Sequence, residues 1–204
     1  GVAHKGVMYF LTSDEYYPDY ENFMCNANGD GYTPSALAAQ EDLGVKVFHD
    51  LGLGDFDGCT IVHWVARVGR VQHLRILSKL GASMTEPDGD GKTPAHWAAA
   101  SIGSERGVEG RTMLAEFKQY GADFHQKDPD GCTPAHILAH TANIEALALV
   151  YDRLDDVDNE GQTLAHYAAL GRDALAALAA LKRLGACLCI PDKLGRLPAH
   201  VAYL

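Results

Sequence analysis

Apolar positions recur down the chain as pairs of short amphipathic runs separated by polar turns. The first run of a pair is lined with small residues, as at Ala98 and Ala99 or Ala168 and Ala169. The second is bulkier, with Val71, Leu74, Ile76, Leu77 and Leu80 in one pair and Ile144, Leu147, Leu149 and Val150 in another. These residues fall at helical spacing, so each run predicts a helix with one apolar stripe. The small residues keep the first helix thin. The bulky stripes are expected to fill the core between neighbouring pairs. Gly81, Gly121 and Gly185 follow three of the second runs and suit a helix stop.

A fixed hexapeptide opens each pair. It reads Gly31 to Ala36, Gly58 to His63, Gly91 to His96, Gly131 to His136, Gly161 to His166 and Gly195 to His200. Successive glycines stand 27, 33, 40, 30 and 34 positions apart. A period near 33 is the mark of stacked repeats. Thr33, Thr60, Thr93, Thr133 and Thr163 sit where a helix N-cap is needed, and each hydroxyl can accept a free N–H of the first turn. Pro34, Pro94, Pro134 and Pro198 follow at the first helical position, where a missing N–H costs little. The glycine before them permits the tight turn into the helix.

The hexapeptide resembles the ankyrin repeat, whose pattern runs Asp-x-x-Gly-x-Thr-Pro-Leu-His-x-Ala-Ala and closes on Gly-Ala-Asp. Asn28, Asp55, Asp88, Asp128, Asp158 and Asp192 each stand three positions before the glycine, and Gly-Ala closes three units at residues 81, 121 and 185. The resemblance implies an all-α ankyrin-repeat solenoid, with stacked helix-turn-helix units joined by short hairpin loops. It sets units near 28–54, 55–87, 88–127, 128–157 and 158–191, with a half unit at 192–204. Residues 1–27 form an irregular N-terminal cap or a truncated repeat. In such arrays the histidine is structural, bonding within and between turns. The half unit ends on Val201, Ala202, Tyr203 and Leu204. That apolar end leads us to expect either more chain or another surface there.

Three units break the period, the first being the unit at Gly31, which is six residues short and ends in Leu51 to Asp55. The unit at Gly91 is seven residues longer than the mean, with the surplus near residues 100–110. Three glycines there oppose a helix, so the insertion is expected in the turn between the two helices. The unit at Gly131 is three residues short, lacks Gly-Ala, and ends in the acidic run Asp152 to Asp158. A tight loop is expected in its place.

Charge narrows the partners. The chain carries 17 Lys and Arg against 27 Asp and Glu, a net charge of −10. Nucleic-acid binding draws its affinity from cations, so DNA and RNA are not expected as ligands. An acidic surface suits a protein with a basic patch. No apolar stretch approaches the ~20 residues needed to span a bilayer, so no membrane insertion is expected. The five scattered cysteines point to free thiols in a reducing, intracellular compartment, with the cytoplasm the expected location. The oligomeric state is not legible.

Chemistry finds no foothold. His63, His96, His136, His166 and His200 recur once per unit, but neighbouring helices lie roughly 8–10 Å apart, too far for successive histidines to share an ion. Cys59 with His63 and Cys132 with His136 form Cys-x-x-x-His pairs, yet no orienting carboxylate or oxyanion site can be argued beside either. Cys187 and Cys189 lack the spacing of a zinc pair. No catalytic residue, metal or cofactor is expected.

Binding is read from positions that vary within the fixed frame. Asp57, Asp90, Asp130 and Glu160 stand just before the motif glycines and form an acidic row, with Lys92, Cys132 and Gln162 just after them. Trp64, Trp97 and Tyr167 follow their histidines. They offer either a groove stripe of anchors or packing between adjacent first helices. The resemblance implies a protein-interaction module that binds a partner through its hairpin tips and inner-helix face, without catalysis. A second class is a targeting arm of a larger enzyme, or of a bacterial effector acting in a host cell.

Overall fold

The computed structural model describes residues 57–102 and 107–202. The expected cap at 1–27 and the unit at 28–54 lie outside them. Helices α1 (Ile61–Val68), α2 (Val71–Lys79), α3 (Pro94–Ser101), α4 (Gly107–Gln119), α5 (Pro134–His140), α6 (Ile144–Val150), α7 (Leu164–Leu170), α8 (Ala174–Leu184) and α9 (Pro198–Val201) follow in order. The fold is all-α: among the described residues there is no strand, only one isolated antiparallel bridge between Val157 and Thr163. Here too no helix is long and apolar enough to cross a membrane.

The helices form two rows. Helices α1, α3, α5, α7 and α9 touch in succession, as do α2, α4, α6 and α8, and each odd helix from α1 to α7 also packs on the one after it. Side-chain size explains the arrangement. Ala98, Ala135, Ala139, Ala165 and Ala168 are buried where the first row closes on itself, and their small volume allows that approach. The second row supplies bulk: Leu74, Leu77, Met113, Leu114, Phe117, Leu147 and Leu181 are fully buried between the rows. Each such side chain contributes about 1.5–3 kcal/mol by leaving water.

Helix starts follow the local chemistry expected of them. Thr60, Thr93, Thr133 and Thr163 each cap a helix in a reciprocal box with the histidine three residues on. At α9, Leu197 has no hydroxyl, and only its N–H closes on His200 Nδ1, at 3.1 Å. Gly185 ends α8 with φ +102, and Gly81 and Gly121 take φ +81 and +85 just past α2 and α4. Without Gly-Ala, α6 instead runs into extended Tyr151, whose buried ring donates its hydroxyl to Asp156 at 2.5 Å.

Two expectations require correction. The surplus of the long unit does not lie in the turn alone, because Gly107 and Gly110 fall inside α4, at 13 residues the longest helix described. Gly110 has a packing reason: an added Cβ would stand 2.5 Å from Ile102 Cγ1. Leu149 does not fill the core but is 53% exposed. On α6 the buried stripe runs through Ile144, Leu147 and Val150, every third residue, which turns Leu149 outward.

The turn between α5 and α6 contains the one non-glycine residue with positive φ among the described residues, Ala142 at +58°. The corresponding turn between α1 and α2 uses Gly69 at +79°. A left-handed alanine costs roughly 1 kcal/mol. Ala142→Gly is therefore expected to stabilise the chain by about 0.5–1 kcal/mol in urea unfolding, despite the entropy glycine adds to the unfolded chain. A loss of stability would show that this turn is not left-handed.

Candidate functional site

The turns that precede the first-row helices are built around buried aspartates. Asp88 Oδ1 accepts the N–H groups of Asp90 and Lys92 at 3.1 and 2.8 Å. Asp128, Asp158 and Asp192 repeat this with the N–H groups two and four residues on, at 2.8–3.0 Å. Two charge-assisted bonds hold each buried carboxylate and shape each tip. The glycine after each acidic tip takes φ between +74 and +81, from Gly58 to Gly195. Space also demands glycine there: a Cβ on Gly131 would lie 2.6 Å from Asn159 N.

Histidines tie each turn to the next. Nδ1 of His63, His96, His136 and His166 accepts the backbone N–H of its capping threonine at 3.0–3.1 Å. The proton therefore resides on Nε2, which donates forward: His63 to the Lys92 carbonyl, His96 to that of Cys132, and His166 to that of Arg196, at 2.9–3.1 Å. His136 Nε2 is buried and makes no such bond, and His136 itself belongs to the short unit. Both ring nitrogens of the bonded histidines are thus committed within the frame. Burial holds His96 and His136 below the ordinary imidazole value of 6.5.

The tips are also tied directly. Gly89 N–H donates to the Asp57 carbonyl at 2.6 Å, Asn159 to Asp130 and Lys193 to Glu160, both at 2.9 Å. Pro129 occupies the matching position after Asp128 and has no N–H to give. The backbone at the acidic row is consumed by these ties, while the side chains of Asp57, Asp90, Asp130 and Glu160 remain exposed at successive tips. Lys92, Cys132 and Gln162 are half-buried, each giving its N–H to a tip carboxylate.

The aromatic residues pack between adjacent first-row helices. Trp97 Nε1 donates to Asp88 Oδ2 at 2.8 Å, and its ring meets Trp64 at 5.8 Å and His63 at 6.0 Å. Tyr167 donates its hydroxyl to Asp158 Oδ2 at 2.9 Å and meets the Cys132 thiol at 2.7 Å. All three rings stay half-buried on the first row. Burial, then the bonds to Cys132 and Asp158, push the Tyr167 phenol well above its usual range. Burial likewise raises the Cys132 thiol, which makes it a poor nucleophile.

Two contributors escaped the sequence reading. Arg67 lies 5.4 Å above the Trp64 ring and 5.7 Å above that of Trp97, within cation–π range. The signal was available, since Arg67 follows Trp64 by three residues on a helix. The buried aspartates stand in the motif, and the geometry shows them to be acceptors.

One stretch of the chain has relatives. It is 38% identical over 55 residues to Inversin-B and to Inversin-A, both of Xenopus laevis. The match spans 27% of this chain and 6% of each relative. Inversin contains ankyrin repeats, so the likeness points to ankyrin-like repeats here. No model of a known protein family matches the chain.

Two expectations follow from this geometry. Asp158→Ala strands two N–H groups and the Tyr167 hydroxyl, and charged hydrogen bonds are worth about 1.5–3 kcal/mol each. A loss of about 3 kcal/mol is expected in denaturant unfolding, against less than about 1 kcal/mol for exposed Glu160→Ala. Acid is expected to destabilise the chain. His96 and His136 resist protons when folded but take them near 6.5 when unfolded. The unfolded chain then binds more protons, so stability falls as pH drops through about 6.5. Melting between pH 7.5 and 5 checks this, and His96→Gln should flatten the slope.

Proposed function

We propose that the chain is an ankyrin-type solenoid that binds another protein and performs no chemistry of its own. Its units are those near 55–87, 88–127, 128–157 and 158–191, with the half unit at 192–204. The observation that carries this reading is a division of labour at the tips. Residues common to every turn are spent on internal bonds: the buried aspartates, threonines and histidines. The acids just before the glycines, Asp57, Asp90, Asp130 and Glu160, keep their side chains outward, and the residues just after, Lys92, Cys132 and Gln162, differ from tip to tip and stay half-buried.

The docking face comprises the acidic tips Asp57, Asp90, Asp130 and Glu160, with Trp64, Trp97 and Tyr167 behind them on the first-row helices. Lys92, Cys132 and Gln162 line the step between. A partner offering a lysine- or arginine-rich segment complements this edge. Carboxylates at successive tips attract it along the row, and the half-buried rings supply apolar area at the centre. Because the acids sit in water, they contribute more to encounter rate and selectivity than to raw stability. Their carbonyls, not their carboxylates, maintain the turns, so their charge can be changed without dismantling the frame.

The test is a triple charge reversal at Asp90, Asp130 and Glu160 to lysine. Capture of lysine- and arginine-rich peptides at low salt is expected to weaken by about tenfold or more. The melting temperature should change by less than about 4 °C. Undiminished peptide capture would remove the acidic row from the docking face.

A further inference from the structure

Outside the tips, one pair of free thiols has no part in the frame. Cys187 and Cys189 lie in the segment that joins the Gly185 stop of α8 to the tip at Asp192, and their sulfurs are 2.7 Å apart. Cys189 is exposed and Cys187 half-buried. The Cys187 backbone N–H is held by Asp155 Oδ1 at 2.8 Å, which fixes this cysteine against the preceding loop.

The separation discriminates among uses of a thiol pair. Two thiolates on one tetrahedral zinc ion, each about 2.3 Å from it, stand about 3.8 Å apart. The observed contact is much shorter and lies nearer the disulfide bond length of about 2.05 Å. Among the described residues, no group of three or more histidine, cysteine or carboxylate side chains is placed to hold a metal. We propose that Cys187 and Cys189 are a reversible dithiol that closes to an intraloop disulfide on reaction with a low-molecular-weight disulfide such as oxidised glutathione.

Cys189 is the accessible thiol and reacts first; its bond to Cys187 raises it, so the step draws on the thiolate present at mildly alkaline pH. Cys189 thiolate attacks one sulfur of the external disulfide, forming a mixed disulfide and releasing one thiolate. Cys187 thiolate then attacks Cys189 Sγ, forming the Cys187–Cys189 bond and expelling the second thiolate. The protein loses two thiol protons and two electrons. The external disulfide gains those electrons and leaves as two thiols. The ring so formed encloses only Leu188 between the two cysteines, and the exposed bond remains open to reduction. Exposed or strained disulfides have the more oxidising potentials of reversible switches. Closure fixes the segment that leads into the Asp192 tip.

The test uses the full chain with Cys25→Ser, treated with oxidised glutathione and digested with trypsin. Leu184 to Lys193 is released as one peptide carrying both cysteines. Mass spectrometry is expected to show this peptide lighter by two hydrogens, with Cys59 and Cys132 unmodified, and dithiothreitol should restore it. Cys187→Ser should stop at the first step and retain glutathione on Cys189. A wild-type peptide that stays reduced, carries glutathione on either sulfur without closing, or links two chains would overturn the proposal. Protection of both thiols by zinc alone would overturn it also, and would assign the pair to a metal.

Discussion

A carboxylate removed from water must find donors, and in this chain it finds them in its own turn. Each buried aspartate gathers two backbone N–H groups and in doing so fixes the loop that delivers the next helix. The histidine three residues past the threonine cap completes the frame, accepting from its own turn and giving to the next. Neither bond alone would align a row of helices. Together they convert a local turn preference into a repeated spacing, because each turn both satisfies itself and offers a carbonyl to the turn before it. The buried leucines and phenylalanine supply most of the free energy, but they do not specify where one helix pair ends and the next begins.

This frame explains why the exposed positions are free to vary. Asp57, Asp130 and Glu160 contribute carbonyls to the ties between turns, and any residue has a carbonyl. Their carboxylates are therefore left for whatever the surface meets. The aromatic residues are less free. Trp97 and Tyr167 are pinned by their polar atoms to Asp88 and Asp158, so their faces are held in place before anything binds. Such anchoring lowers the entropy lost on association.

Much of this was legible in the chain itself. The threonine caps, the glycine turns and the alternation of small and bulky helices all follow from local rules that depend on few neighbours. The structure departs from them where a longer-range contact decides. Gly110 enters a helix against its propensity because Ile102 leaves no room for a side chain. Leu149 faces solvent because three stronger positions on α6 already define the buried stripe. The Arg67 stack on two indoles needed only helical spacing to be foreseen for Trp64, but its reach to Trp97 depends on how closely α1 and α3 approach. Position within the tip separated the buried aspartates from the exposed ones, yet only geometry shows that the first kind are acceptors and the second kind solvent-facing.

Proline at 129 sets one rung apart. The neighbouring rungs share an amide hydrogen between successive tips; here the ring nitrogen has none to offer the Asp90 carbonyl. The turns at Asp90 and Asp130 therefore share one bond fewer than their neighbours, and the His96 donation to the Cys132 carbonyl is left to join them.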